Sequence, residues 1–116
     1  MNTNNQINYV EFLLWDKVKT KSFYQNCFGW KFEDWGPSYL SFSGAGIEGG
    51  FNGESERPLT QPGTLIVLYN DDLKAIRSKV KKEGGTIKQE PYDFPGGRRF
   101  HFEDPNGNEL AIWSGK

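Results

Sequence analysis

The chain repeats one order of predicted secondary-structure elements, and this repeat constrains the fold more than any other feature. In the first half, the strand-like residues 7–15 precede a helix that Asp16 is expected to cap and Gly29 to close. In the second half, a helix that begins at Asp71 and ends at Gly85 again follows one strand and precedes three. The two closing glycines lie 56 positions apart. An internal βαβββ repeat is the simplest account of this order.

The repeat predicts an α+β fold in one domain spanning residues 1–116. The first repeat covers about residues 7–53, a proline-rich loop covers 54–62, and the second repeat covers about 63–114. Strands are predicted at 7–15, 31–35, 38–42, 46–52, 64–70, 86–92, 98–103 and 109–114, and helices at 16–28 and 71–83. Together the two βαβββ repeats are expected to form a curved mixed sheet around a cleft, with the helices on the other side.

Composition excludes several classes of partner. The formal net charge is −1 and the Lys and Arg residues are scattered, so nucleic acid is not expected to bind. The polar N-terminus, residues 1–6, predicts neither a signal peptide nor a membrane span. Cys27 is the single cysteine, which excludes an internal disulfide and suits a cytoplasmic protein. Its place in the first helix predicts a small core or boundary residue.

Alternation along the strands separates a core face from a cleft face. Apolar residues such as Phe12, Leu40 and Phe100 fall on the face predicted to pack beneath the helices. The opposite face mixes aromatic, acidic and basic residues, which is unusual for a simply solvated sheet. The residues predicted to line the cleft and to bind a ligand are Tyr9, Glu11, Trp15, Tyr39, Glu48, Thr64, Arg99, His101, Glu109 and Trp113.

Several short motifs give the chain a family resemblance over about residues 7–113. They are Ile-Asn-Tyr-Val-Glu-Phe at 7–12, Asp16, Phe23-Tyr24, Phe28-Gly29-Trp30, the glycine-rich run at 46–51 and Phe-Glu-Asp-Pro-Asn-Gly-Asn at 102–108. In this order and spacing they resemble the vicinal oxygen chelate superfamily, which includes glyoxalase I, bleomycin resistance proteins, fosfomycin resistance enzymes and extradiol dioxygenases. The chain is most similar in character to bacterial proteins described as related to lactoylglutathione lyase.

The resemblance also implies where a metal would be held. Metal-dependent members take His or Glu ligands from the first and last strands of each repeat, which corresponds here to Tyr9, Glu48, Thr64 and Ala111. Only Glu48 is a strong ligand among these four. His101, the only histidine, lies on another strand and is expected to pair with a neighbouring acid such as Glu103. The sequence therefore predicts no metal and no cofactor.

The expected function is metal-free binding of a small organic molecule, planar or cationic, by acidic and stacking aromatic residues. The alternative is a glyoxalase-related isomerase or lyase, with Glu11, Glu48 and His101 as candidate catalytic residues and Tyr9 as a further donor. A dimerisation module without a ligand is a third possibility. A homodimer is expected in any case, with Trp30 and Trp35 as candidate interface aromatics.

Overall fold

The computed structural model describes residues 3–55 and 63–115, so the predicted loop lies outside it at positions 56–62. The first repeat comprises β1 (Tyr9–Leu13), α1 (Lys17–Phe28), β2 (Lys31–Asp34), β3 (Tyr39–Ser43) and β4 (Glu48–Asn52). The second comprises β5 (Ile66–Tyr69), α2 (Leu73–Lys82), β6 (Thr86–Phe94), β7 (Gly97–Glu103) and β8 (Glu109–Ser114). The predicted α+β fold with two βαβββ repeats is confirmed.

Each repeat forms one four-stranded mixed sheet. The strand orders are β1-β4-β3-β2 and β5-β8-β7-β6, so the two sheets share the same topology. β1 pairs with β4 in parallel and β5 pairs with β8 in parallel, whereas the remaining pairs are antiparallel. β1 and β5 are therefore edge strands. Neither described helix is long and apolar enough to cross a bilayer.

The observed helix caps agree with the sequence prediction for α1 and differ from it by one residue for α2. The Asp16 carboxylate accepts a hydrogen bond from the backbone N–H of Lys19 at 2.9 Å, and Gly29 ends α1 with a φ of 74°. The N-cap of α2 is Asp72, not the predicted Asp71. An N-cap side chain must reach the backbone N–H three residues on, and Asp72 reaches that of Ala75 at 3.0 Å.

An aromatic stack between α1 and the first sheet forms much of the core. The ring of Trp30 lies between Tyr24 and Phe42, with ring centroids 4.6 and 4.7 Å away. Trp30 is only 5% exposed, so its predicted role at a dimer interface is wrong. Trp35 is 62% exposed and remains available at the surface. Cys27 is buried in the same core, as predicted.

Asn106, in the β7–β8 turn, joins the second repeat to the start of α1. Its side-chain oxygen accepts hydrogen bonds from the backbone N–H groups of Trp15 and Asp16 at 2.7 and 3.1 Å. It also accepts one from the hydroxyl of Thr20 at 3.0 Å. Asn106 is completely buried. The polar groups at the beginning of the first helix are thus satisfied by a residue of the other repeat.

The carboxylate of Asp104 forms several hydrogen bonds that hold the same turn. Its carboxylate accepts hydrogen bonds from the Tyr24 hydroxyl at 2.8 Å and from the backbone N–H groups of Asn106 and Asn108 at 2.8 and 2.9 Å. Burial raises the pKa of the Asp104 carboxyl, and these hydrogen bonds oppose that rise. The Asn108 side chain in turn donates to the carbonyl of Leu13 at 2.9 Å. The turn is therefore a rigid link between the repeats.

Candidate functional site

The predicted cleft residues form two groups, one on the exposed face of each sheet. On the first sheet we define the acidic cluster as Tyr9, Glu11, Tyr39 and Asn52. On the second sheet we define the histidine cluster as Tyr92, Arg99, His101, Glu109 and Trp113. Side chains in each group alternate with core residues along their strands, as the sequence pattern predicts.

Hydrogen bonds connect all members of the acidic cluster. The hydroxyl groups of Tyr9 and Tyr39 lie 2.5 Å apart, and Tyr39 also donates to one carboxylate oxygen of Glu11 at 3.1 Å. Asn52 donates to the other carboxylate oxygen at 3.2 Å. Glu11 therefore presents a carboxylate whose position is fixed by two neutral donors. The three strands β1, β4 and β3 contribute to this arrangement.

Gly50 makes the meeting of the two tyrosines possible. It lies on β4 opposite Glu11 on one side and Ser41 on the other. A Cβ atom at this position would lie 2.2 Å from the Tyr39 hydroxyl oxygen and 2.6 Å from that of Tyr9. Because these distances are far below van der Waals contact, a larger residue would displace the phenol groups. The absence of a side chain at Gly50 therefore allows the two hydroxyl groups to approach each other.

The pKa of Tyr39 is raised well above its usual range. Burial of the hydroxyl contributes most, followed by the hydrogen bond with Tyr9 and the nearby carboxylate of Glu11. Tyr39 therefore stays protonated at any physiological pH and acts as a hydrogen-bond donor to Glu11. It is a poor candidate for a proton acceptor.

Three other predicted residues lie outside both clusters. Glu48 is exposed and lies beside Tyr9 in the β1–β4 register. Trp15 is 67% exposed at the end of β1. Thr64 is also exposed and precedes β5 rather than belonging to it. Trp35, which the sequence did not assign to the cleft, donates from its indole N–H to the Ser41 hydroxyl at 2.8 Å and extends the aromatic surface beside the acidic cluster.

The histidine cluster is a chain of hydrogen bonds across β6, β7 and β8. His101 is 8% exposed, with Nδ1 2.9 Å from a carboxylate oxygen of Glu109 and Nε2 2.9 Å from the Tyr92 hydroxyl. The guanidinium of Arg99 donates to the same hydroxyl. The Tyr92 hydroxyl therefore lies between the guanidinium of Arg99 and Nε2 of His101, while Nδ1 faces the Glu109 carboxylate.

The acid that holds His101 is therefore Glu109 and not the predicted Glu103. Residues 101 and 103 are two apart on one strand, so their side chains point the same way but lie well separated along it. Glu109 lies on the neighbouring strand β8, within reach of the imidazole, whereas Glu103 forms an ion pair with Lys88 at 3.4 Å. Tyr92 was also missed, because it lies beyond Pro91, where the register of β6 shifts.

Aromatic rings surround the outer end of the histidine cluster. Trp113 lies edge-on to Tyr69 and Phe94, with ring centroids 5.0 and 6.2 Å away. The guanidinium of Arg99 lies over the rings of Tyr92 and Phe94 at 5.5 and 5.7 Å. Tyr69 was also missed by the sequence analysis, because its pairing with Trp113 follows from the parallel register of β5 and β8.

The register shows that the four positions implied for metal ligands are not equivalent in the two repeats. Tyr9 precedes the cap Asp16 by seven residues, and its counterpart is Leu65, seven residues before Asp72. Since Ile66 pairs with Leu110, the counterpart of Glu48 is Glu109, and Thr64 and Ala111 are each displaced from the equivalent positions.

Leu65 and Glu109, the counterparts of Tyr9 and Glu48, do not fit a metal ion. A leucine supplies no donor atom, and Glu109 is already bound to His101. Within residues 3–55 and 63–115 no group of three or more His, Cys, Asp or Glu side chains is close enough to hold a metal ion. The chemistry available on these residues is therefore electrostatic binding at the acidic cluster and hydrogen bonding or proton transfer at the histidine cluster.

Comparisons with known proteins place the chain in a family. The sequence model of the Glyoxalase/Bleomycin resistance protein/Dioxygenase superfamily matches residues 6–112. A comparison with curated protein sequences gave no match. Similar solved structures include a glyoxalase/bleomycin resistance protein/dioxygenase family enzyme from Burkholderia phytofirmans PsJN, with 18% identity, coverage of 94% of this chain and 98% of that one, and a TM-score of 0.77.

Two further structures have the same fold. A glyoxalase-related enzyme from Fulvimarina pelagi has 15% identity, coverage of 95% of this chain and 88% of that one, and a TM-score of 0.80. TnmS3, an antibiotic binding protein from Streptomyces sp. CB03234, has 22% identity, coverage of 98% of both chains and a TM-score of 0.69. At these identities the structures support the fold alone, whereas the family match extends over nearly the whole sequence. The chain therefore belongs to the Glyoxalase/Bleomycin resistance protein/Dioxygenase superfamily.

Proposed function

We propose that the protein binds a planar, positively charged small molecule on the exposed face of its first sheet, without a metal or another cofactor. The observation that carries this proposal is the acidic cluster, in which Glu11 is fixed by Tyr39 and Asn52 and lies among exposed aromatic rings. Its carboxylate attracts a cation, and the rings provide faces for stacking.

The surroundings of the acidic cluster favour a cation further. Glu48 lies beside Tyr9 in the β1–β4 register, and Glu33 lies opposite Ser41 on the same face. The carboxylates on this face therefore favour a cation over an anion. One neighbour of the same fold is described as an antibiotic binding protein, in keeping with small-molecule binding. Because Cys27 is the only cysteine and is buried, we also propose a cytoplasmic location.

Titration with proflavine, a planar cation, should show saturable binding to protein treated with a metal chelator. Glu11→Gln should weaken that binding about tenfold, because it removes the charge and keeps the size of the side chain. Tyr9→Ala should weaken it by a similar factor through lost stacking. Fluorescence or calorimetric titration measures both effects.

Glu90→Gln is the matched control for Glu11→Gln. It changes the net charge by the same amount, but Glu90 forms an ion pair with Arg77 of α2, away from the acidic cluster. This variant should bind proflavine like the parent. Equal weakening by both substitutions, or binding that appears only after a metal ion is added, would contradict the proposed site.

We also propose that the protein is a homodimer. Trp35 and the edge strand β1 expose apolar groups near the acidic cluster, and a two-fold partner could cover them. Light scattering at micromolar concentrations should give twice the chain mass. A monomer mass at all concentrations would show that one chain suffices.

A second candidate function rests on the histidine cluster. In that cluster the imidazole of His101 is held between the Glu109 carboxylate and the Tyr92 hydroxyl, an arrangement that suits general acid–base catalysis in an isomerase or lyase. Chelator-treated protein would then convert the adduct of methylglyoxal and glutathione, and Tyr92→Phe and His101→Gln would each abolish the conversion. Conversion that survives in both variants would exclude this role.

A further inference from the structure

A cavity of about 460 Å³ lies between the two repeats, and its lining reaches Tyr69, which packs against Trp113 of the histidine cluster. The rings of Phe12, Phe28, Trp30 and Phe42 line one side of it, and residues 66–70 of the edge strand β5 and its continuation line the other. The β3–β4 turn contributes Ala45 and Ile47 to the lining. The volume lies in the range of sites that hold small organic molecules, and most of the lining side chains are apolar, while polar atoms contribute about as much of the exposed lining as apolar atoms do.

The turn beside the cavity has a counterpart in the second repeat, where the equivalent position carries the larger side chain of Asn106. In the β7–β8 turn, Asn106 precedes Gly107, which has a φ of 85°, and Glu109 begins β8. In the β3–β4 turn, Ala45 precedes Gly46, which has a φ of 93°, and Glu48 begins β4. Ala45 therefore occupies the position in the first repeat that Asn106 occupies in the second. Its methyl group cannot fill the same space.

Residues 70–72, at the start of α2, explain why the first repeat requires no side chain equivalent to that of Asn106. At the start of α1 the backbone N–H of Asp16 is satisfied by Asn106 from the other repeat. At the start of α2 the corresponding N–H, that of Asp72, is satisfied locally by the side chain of Asn70 at 2.9 Å. With this donor already paired, the turn at Ala45 contributes no polar side chain to the space beside it.

We propose that this cavity binds a small, uncharged aromatic molecule, independently of the cation site on the first sheet. Four aromatic side chains contribute to the lining and can contact an aromatic guest, and no charged side chain is among the lining residues to pair with an ionic one. The edge of β5 supplies backbone hydrogen-bonding groups for a single polar substituent.

N-phenyl-1-naphthylamine, an uncharged fluorescent aromatic, is a direct probe of this cavity. It should bind to the whole protein with increased fluorescence, and Ala45→Leu should weaken binding about tenfold or more because the larger side chain occupies the space. Ala45 has an ordinary negative φ, so leucine is tolerated by the backbone. Ala45→Ser is the matched control and should bind like the parent, because it leaves the volume nearly unchanged.

Cys27 provides a second readout, since its side chain also lines the cavity. Burial raises the pKa of its thiol to about 12, so alkylation by N-ethylmaleimide should be slow, and the bound probe should slow it further. The proposal is overturned if Ala45→Leu binds the probe like the parent, or if Glu11→Gln weakens the probe as much as it weakens proflavine. It is also overturned if Ala45→Leu only changes the oligomeric mass while probe binding is retained.

Discussion

Asn106→Ala is expected to lower the free energy of unfolding by roughly 3–5 kcal/mol, because it leaves three donors without their acceptor. The backbone N–H groups of Trp15 and Asp16 and the hydroxyl of Thr20 all point at the side-chain oxygen of Asn106. Alanine offers no replacement, and the buried position limits access of water. Urea denaturation followed by tryptophan fluorescence measures the loss.

Asn26→Ala is the matched control for this prediction. The Asn26 side chain also makes two hydrogen bonds, to Ser22 and Glu83, but it is exposed. Water replaces those contacts, so the change in unfolding free energy should stay within about 0.5 kcal/mol. If the two variants lose similar stability, the hydrogen bonds of the buried turn are not what holds the repeats together.

Gly49→Ala is expected to be the most damaging substitution in the first sheet, with a loss of at least roughly 4 kcal/mol. A Cβ atom there would lie 2.1 Å from the carbonyl oxygen of Val10 and 2.5 Å from the ring of Phe42. The first contact is with the backbone of the paired strand, which cannot move without breaking the β1–β4 ladder. Thermal denaturation by circular dichroism should show a large fall in Tm, or the variant should be recovered only in the insoluble fraction.

Gly50→Ala, at the next residue, is expected to affect ligand binding more than the stability of the fold. The atoms that its Cβ would meet belong to the ends of Tyr39 and Tyr9, which can rotate away. We therefore expect a loss of about 1 kcal/mol in stability together with a clear loss of proflavine binding. A Gly50→Ala protein that is as unstable as Gly49→Ala would show that the tyrosine pair is fixed by the core rather than by the glycine.

The overall fold could be predicted from the sequence because its signals are local. A helix-closing glycine such as Gly29 and the alternation of Phe100 and Phe102 with polar neighbours depend only on nearby residues. The capping error at Asp71 was small, since two adjacent aspartates carry almost the same signal and only the distance to Ala75 decides between them.

The candidate site was predictable only in part, because its partners come from different strands. The sequence placed His101 on the exposed face but not beside Glu109, since the pairing of β7 and β8 decides which acid reaches the imidazole. The shift of register near Pro91 concealed Tyr92. In the second repeat, a difference of one residue between Thr64 and Leu65 changes which side of the sheet a side chain faces.

The hydrogen bonds of Asn106 also bear on how the chain is made. They span 86 to 91 positions of sequence, so the start of α1 is synthesised long before the residue that satisfies it. The first repeat alone therefore has no acceptor for these donors at the start of α1. The helix start is completed only once the β7–β8 turn has been synthesised and has docked against it.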